Sequence, residues 1–144
     1  MSDERELLKD LLVNETEIIK NLASTIQKVK KIFRIEEKSG KIVFNNYSKL
    51  TNPQRICCIL MGKYFTNKLG IIEDSTAAVS DLSSELEIPS TTLSSPLKSL
   101  RKSGLILYDD SRYKINPHRI EEITNSFFDN LTNDSINKHK DAKI

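Results

Sequence analysis

One short segment of the chain combines hydroxyl and cationic side chains without any acidic residue. The stretch from Pro89 to Tyr108 contains no aspartate or glutamate, although the chain as a whole has 20 acidic residues. Ammonium and guanidinium groups neutralise phosphates, and short hydroxyl side chains exchange hydrogen bonds with phosphates or base edges. The side chains that could contact a polyanion in this way are those of Ser90, Thr91, Thr92, Ser94, Ser95, Lys98, Arg101 and Lys102.

The spacing of three leucines predicts how these side chains are presented. Leu93, Leu97 and Leu100 recur at intervals of four and three, which places them on one face of a helix. We therefore predict a helix over 90–103, capped by Ser90 and ended by Gly104, with the hydroxyl and cationic side chains facing outward. A charged outward face is also an ordinary feature of soluble helices.

Pro96 lies inside this predicted helix and conflicts with a regular one, because proline lacks a backbone N–H and clashes with the preceding turn. Two arrangements are open. The helix kinks or tightens its first turn, or it begins at Pro96 with Ser95 as its cap and loses Thr91 and Thr92 from the outward face. The first is favoured because Leu93 keeps the core spacing with Leu97.

The flanking segments predict a helix before this one and a hairpin after it. Asp81 to Leu86 reads as a short helix capped by Ser80, and Leu105–Tyr108 with Arg112–Ile115 reads as a β-hairpin. Arg112 and Lys114 share the outward face of the second strand and become further candidates for phosphate contact. Asp109 and Asp110 at the hairpin turn would repel phosphate.

The segment VSDLSSELEIPSTTLSSPLKSLRKSGLI, from Val79 to Ile106, resembles the helix-turn-helix of MarR-like and ArsR-like prokaryotic transcription regulators. The shared features are a short capped helix, a tight turn, a recognition helix rich in serine and threonine, and a Gly-Leu ending that leads into the wing. The quoted segment has 28 residues, and the domain to which the resemblance extends, 51–120, is about half of the chain. The resemblance implies a winged helix-turn-helix domain over 51–120 that binds double-stranded DNA through the helix at 90–103, as a homodimer on a palindromic site.

Residues 1–33 are predicted to form one long amphipathic helix, and its apolar stripe is longer than a small domain can cover. We expect part of it to meet a second copy of the chain in a coiled coil. The alternative is that the helix packs only against its own domain. The predicted dimerisation residues are Leu8, Leu11, Leu12, Ile18, Ile19, Leu22, Ile26 and Val29.

The rest of the chain completes a fold that is mainly α, with a small β-hairpin wing and a winged helix-turn-helix domain preceded by the long N-terminal helix. Residues 34–50 are predicted to be a hairpin with Gly40 in its turn, followed by a connector, with the alternative that the first strand is instead the last turn of the preceding helix. A helix capped by Asn52 then runs to Gly70, and a short strand is possible at 77–79. Asn116 caps a C-terminal helix over 117–131, and 132–144 is a flexible tail.

Composition predicts an ordinary soluble protein and no catalytic site. With 22 basic and 20 acidic residues, the net charge of +2 does not by itself indicate a nucleic-acid ligand. We find no metal-spaced cluster, glycine-rich phosphate loop or nucleophile with a histidine base, so we expect no enzyme activity, metal or cofactor. The adjacent Cys57 and Cys58 are predicted to be core residues of a cytoplasmic protein, and no segment is predicted to span a membrane.

Two functions of different classes fit these features. The first is a DNA-binding transcription regulator, and the second is a winged-helix protein–protein interaction module that uses its N-terminal helix to bind a partner chain. The target DNA, the direction of regulation and any small-molecule effector stay open.

Overall fold

The computed structural model describes residues 23–127. Within this range the fold is mixed α and β, with five α-helical segments and two small antiparallel hairpins, which is compatible with a winged helix. The elements are α1 (Ala23–Val29), β1 (Phe33–Ile35), β2 (Ile42–Phe44), a 3-10 turn (Tyr47–Lys49), α2 (Asn52–Lys68), α3 (Val79–Leu86), α4 (Ser90–Lys102), β3 (Ile106–Asp109), β4 (Arg112–Ile115) and α5 (Ile120–Glu122).

The predicted N-terminal helix over 1–33 ends earlier than expected. Its residues before Ala23 lie outside the described range, and α1 ends at Val29. Phe33 instead begins β1 and pairs with Phe44 of β2, and the N–H of Asn45 donates to the carbonyl of Ile32. Phe33 is 2 % exposed, so burial in the hairpin outweighs the continuing helical period.

Helix α2 is the centre of the fold. It buries residues on every side along Ile56–Gly62, including Cys57 and Cys58. Its N-cap is Thr51 and not the predicted Asn52, because the Thr51 hydroxyl accepts from the N–H of Gln54 while the Gln54 side chain accepts from the N–H of Thr51. Pro53 is therefore the second helical residue. Gly70 follows the helix with a φ of 78°, as the predicted end requires.

The first hairpin (β1 and β2) packs closely against α2 at Gly62. A Cβ added to Gly62 would lie 1.8 Å from Cδ1 of Ile42 on β2, so glycine is what permits this approach. Gly40 lies in the hairpin turn with a φ of 74°, in agreement with the predicted turn.

Helices α3 and α4 begin at other caps than those predicted. α3 starts at Val79, and the Asp81 carboxylate accepts from the N–H of Ala78, so Ser80 lies within the first turn. α4 starts at Ser90 with Pro89 in the N-cap position, so Ser90 is not the cap. Between the two helices, Glu87 adopts a left-handed conformation with a φ of 57°.

The second hairpin (β3 and β4) has a two-residue turn. Asp109 pairs with Arg112, and Asp110 and Ser111 both have positive φ angles of 51° and 64°, which match the right-handed twist of the strands. The possible strand at 77–79 reduces to one bridge, in which Ala77 and Tyr113 exchange hydrogen bonds of 2.8 and 2.7 Å. This bridge fixes β4 to the loop before α3.

The chain after the second hairpin is less regular than the predicted helix over 117–131. Asn116 acts as the predicted cap by accepting from the N–H of His118, but the chain then runs as a 3-10 turn (Pro117–Arg119), the single turn of α5 and a π-helical turn (Ile123–Phe127). Lys28 of α1 donates to the Asn125 side chain at 2.8 Å, which ties this segment to α1. The remainder of the predicted helix and the tail lie outside the described residues. No helix in 23–127 is both long and apolar enough to cross a bilayer.

Candidate nucleic-acid interface

Helix α4 divides into the two faces that the leucine spacing predicts. Leu93, Leu97 and Leu100 are at most 3 % exposed and lie in the common core with Ile106 and Ile115. Each fully buried leucine contributes roughly 1.5–3 kcal/mol of transfer free energy, which anchors the helix. The opposite face is solvent-exposed and carries Ser90, Thr91, Thr92, Ser94, Ser95, Lys98, Arg101 and Lys102, which the structure brings together.

Pro96 does not delay the start of α4. The helix is continuous over Ser90–Lys102, so the alternative start at Pro96 is wrong. The first turn is tightened, because the N–H of Thr92 donates to the carbonyl of Pro89 at 2.9 Å, a spacing of three residues. Thr91 and Thr92 consequently stay on the exposed face.

The lysines of α4 are not engaged by the described part of their own chain. Between residues 23 and 127, neither Lys98 nor Lys102 forms an ion pair or hydrogen bond. By comparison, Lys63 of α2 pairs with Glu85 at 3.1 Å. Among the hydroxyls of α4, Ser94 donates to the carbonyl of Thr91 at 3.0 Å and keeps an oxygen available as an acceptor.

Arg101 is positioned by the second hairpin. Its guanidinium lies 4.1 Å from the centre of the Tyr108 ring, and that ring is 4.7 Å from the ring of Tyr113. A cation over an aromatic face is attracted by the ring quadrupole, so this stack restrains Arg101 while leaving it exposed. An open groove of about 630 Å³ runs between α4 and the hairpin, with Thr91 and Lys98 in its lining.

Arg112 requires a correction, because its guanidinium is engaged within its own chain. Nε donates to the Thr76 hydroxyl at 2.6 Å, and NH2 donates to the Thr76 carbonyl at 3.2 Å. The same NH2 lies 3.4 Å from the Asp74 carboxylate and 3.6 Å from that of Asp81. Arg112 therefore joins β4 to the loop and helix that precede α4, and it is not a free cation for phosphate.

The Asp74 side chain supplies a negative charge to this cluster at neutral pH. The hydroxyl and the N–H of Thr76 donate to its carboxylate at 2.7 and 2.8 Å, and these bonds, with a smaller contribution from Arg112, hold the pKa of Asp74 below its usual value. The positive charge of Arg112 is thereby offset at neutral pH.

The two remaining features of the second hairpin differ in exposure. Lys114 is half-buried opposite Leu107, unlike the exposed cations of α4. Asp109 and Asp110 are exposed at the tip, as the sequence predicts. Of the cations on α4 and the second hairpin, those that are exposed and carry no ion pair in the described range therefore lie on α4.

Only two of the eight predicted dimerisation residues fall within the described range. Val29 is 6 % exposed and lies in the core of its own chain, whereas Ile26 is half-buried. The other six lie outside the described residues.

The side chains in 23–127 that could ligate a metal do not cluster, and the two cysteines are buried. Cys57 and Cys58 are fully buried, and burial raises the pKa of Cys57 to about 12 and that of Cys58 well above its usual value, so both stay protonated. No group of three histidine, cysteine or carboxylate side chains in this range could hold a metal ion.

Sequence reasoning missed the Arg101–Tyr108–Tyr113 stack and the Arg112 cluster. Alternation along β4 placed Arg112 correctly on the strand, but no local signal identified Thr76 as its partner, since the two residues are 36 positions apart. A comparison of the chain with protein-family models, curated proteins and solved structures gave no match.

Proposed function

We propose that this chain is a winged-helix transcription regulator that contacts double-stranded DNA through the exposed face of α4. The observation that carries the proposal is the composition of that face. A continuous helix of 13 residues, anchored by three buried leucines, presents hydroxyl and cationic side chains and no carboxylate.

The order of elements supports this assignment. α2, α3, α4 and the second hairpin follow one another as in a winged helix, and the Ala77 bridge adds the short strand beside the wing. Thirteen residues form a helix of about 20 Å, and the major groove, about 12 Å wide, admits such a helix. Ser90, Thr91 and Ser94 lie at its N-terminal end, where a recognition helix approaches the bases.

Charge placement supports the same orientation. Lys98, Arg101 and Lys102 lie in the C-terminal half of α4, where they can reach the phosphates that flank the groove. The exposed Asp109 and Asp110 disfavour insertion of the wing into the minor groove. In this proposal the second hairpin acts mainly by holding Arg101 through the Tyr108 ring.

A homodimer that reads a palindromic site is part of the proposal. Two recognition helices one helical turn apart, roughly 34 Å, reach successive major grooves. Sedimentation of the chain alone and with DNA tests this, and the expected complex contains two protein chains for each duplex. One chain per duplex at saturation would refute the dimer but would not contradict the assignment of α4 as the DNA-binding helix.

The salt dependence of binding to duplex DNA tests the role of the lysines. Each lysine that contacts a phosphate contributes about 0.9 to the slope of log K against log salt, so Lys98→Gln with Lys102→Gln lowers the slope by about 1.8 per protomer. Lys38→Gln with Lys41→Gln is the matched control, because these exposed lysines of the first hairpin carry the same charge on another surface.

If the double variant of α4 leaves the slope unchanged, or if both double variants lower the slope equally, the assignment of the α4 face is contradicted. Absent or salt-independent binding would instead favour the protein-interaction module, with which the acidic wing tip and the engaged Arg112 also agree.

A further inference from the structure

An apolar cavity of about 320 Å³ lies between α1, β1 and the C-terminal end of α2. Its walls include Ile26 of α1, Phe33 of β1, Phe65 of α2 and Leu69, and it shares no lining residue with α4. Its volume lies within the range of about 300–1,000 Å³ that is typical of small-molecule sites. Leu69 is 69 % exposed, so the cavity opens to solvent on this side and is not a sealed packing defect.

The mouth of the cavity is cationic. Lys30, Arg34 and Lys68 contribute to its lining, and none of the described lining residues is acidic. Lys30 and Arg34 are exposed, and within 23–127 their side-chain charges form no ion pair. The Lys68 ammonium lies 5.6 Å from the centre of the Tyr64 ring at the same end of α2.

We infer that this cavity binds a free small amphiphile with an apolar body and one carboxylate head. The carbon-lined interior gains free energy from removing an apolar body from water, and polar groups at the mouth fix its orientation. Arg34 offers the planar guanidinium fork that matches a carboxylate in two hydrogen bonds. A cationic head would be repelled by the same residues.

A second copy of the chain fits this surface less well than a small anion does. A two-fold contact would bring the cationic rims of both cavities into one interface. Like charges placed opposite each other in an interface disfavour association. Charge complementarity therefore selects an anionic occupant.

Three ligands with the same chain and different heads test the inference on the full protein. Decanoate and decyltrimethylammonium are titrated below their critical micelle concentrations and decanol below its solubility limit, and binding is measured by calorimetry and by the rise in Tm. We expect saturable binding of decanoate, weaker binding of decanol and none of decyltrimethylammonium. Equal binding of all three, or no saturable binding of decanoate, would overturn the inference.

Two sets of variants locate the site. Lys30→Gln with Arg34→Gln should weaken decanoate binding by about tenfold and leave decanol binding within about twofold, because only the carboxylate uses these charges. Leu69→Glu places a negative charge at the mouth and should abolish decanoate binding. Leu107→Glu is the control at an exposed leucine of β3 and should leave it unchanged.

Decanoate binding that is insensitive to both cavity changes would overturn the assigned site. Co-sedimentation with phosphatidylglycerol vesicles, in the absence of monomeric decanoate binding, would assign the cationic mouth to a lipid surface and refute a free ligand. DNA binding does not enter any of these readouts, so the inference fails or stands independently of the proposed regulator.

Discussion

The guanidinium of Arg112 connects β4 to two parts of the molecule that precede α4. It bonds to Thr76 in the loop and lies near the carboxylates of Asp74 and Asp81, while its backbone belongs to β4. Because Ala77, the neighbour of Thr76, also bridges Tyr113, the side-chain and backbone contacts fix the same junction. The cluster therefore positions the second hairpin relative to α3.

Replacement of Asp74 by asparagine should lower stability in a pH-dependent way. The folded-state pKa of Asp74 is lowered, so its charged form contributes stability above the ordinary aspartate pKa of about 3.9, and this contribution is lost as the pH falls through the lower folded-state pKa. We expect Asp74→Asn to lower the free energy of unfolding by roughly 0.5–1 kcal/mol at pH 7, after screening by solvent.

Urea unfolding at pH 7 and at a series of lower pH values measures this difference. It should shrink toward zero at the acidic end, where wild-type Asp74 is also neutral. Glu73→Gln is the control, since it removes an exposed neighbouring charge whose side chain forms no hydrogen bond within 23–127. A constant difference across the pH range would show that the charge of Asp74 is not what matters.

Residue types in α4 could be interpreted from the sequence because their environment is local. The interval between Leu93 and Leu97 defines the buried face, so the exposure of Lys98 and Lys102 follows from helical geometry. Arg112 could not be interpreted in this way, because its environment consists of residues from a different part of the chain. A cation on a strand has the same pattern whether it faces solvent or a distant carboxylate.

At the scale of elements, α4 tolerates a proline that a regular helix would exclude. Pro96 removes the N–H that would donate one turn back, and the helix nevertheless continues to Lys102. The three buried leucines compensate for this cost, since their burial requires the helical spacing on both sides of Pro96.

Pro96→Ala should therefore stabilise the fold. Alanine restores one backbone donor and removes the clash. We expect the free energy of unfolding to rise by roughly 1–3 kcal/mol, and relaxation already present in the helix limits this increase. Urea unfolding measures it, with Ser95→Ala as the control at the adjacent exposed position. A lower unfolding midpoint for Pro96→Ala would show that the proline is required for the packing of α4.

At the contact between the first hairpin and α2, we expect a glycine-to-alanine substitution to change stability in the direction opposite to that expected from helix propensity. Glycine to alanine inside a helix normally stabilises by about 1 kcal/mol. At Gly62 the added Cβ would lie 1.8 Å from Cδ1 and 2.7 Å from Cγ1 of Ile42, so we expect Gly62→Ala to destabilise by roughly 1–3 kcal/mol.

A double-mutant cycle with Ile42→Ala separates the two effects. In that background the obstructing atoms are absent, and Gly62→Ala should become stabilising. A destabilising effect of the same size in both backgrounds would show that the clash is relieved elsewhere and that another feature of Gly62 is responsible.

The sequence predicted whether a segment is a helix or a strand better than it predicted the residues at which each element begins and ends. The helix periods of α2 and α4 and the turn glycine Gly40 identify their elements, because propensity and burial agree there. The ends depend on single hydrogen bonds, which is why Thr51 rather than Asn52 caps α2. Phe33 was misassigned because its apolar spacing suits a helix, whereas pairing with Phe44 gives it a more buried position in β1.

At the scale of the whole molecule, charge is separated although its sum is small. The net charge is only +2, yet the exposed face of α4 has no carboxylate and the tip of the second hairpin has two. The cavity at α1 and the face of α4 have no lining residue in common, so a ligand in one does not occupy the other. If the two sites are coupled, decanoate will change the affinity for DNA, and DNA will change the affinity for decanoate by the same factor.

The whole-molecule arrangement was the least accessible to sequence reasoning. The apolar spacing and turn residues of Val79–Ile106 predicted the order of the central elements. The packing of α1 against the terminal segment was not predictable in this way, because the contact between Lys28 and Asn125 joins residues 97 positions apart. The cavity arises from α1, β1 and α2 together, and no one of these segments shows it in isolation.

Backbone amide chemical shifts of labelled protein, followed during titration with duplex DNA, test directly whether α4 contacts the nucleic acid. We expect the largest changes on Ser90–Lys102 and the facing second hairpin, with small changes along β1, β2 and the cavity lining. Changes centred on the first hairpin or on α1, with α4 unaffected at saturating DNA, would contradict a contact through α4.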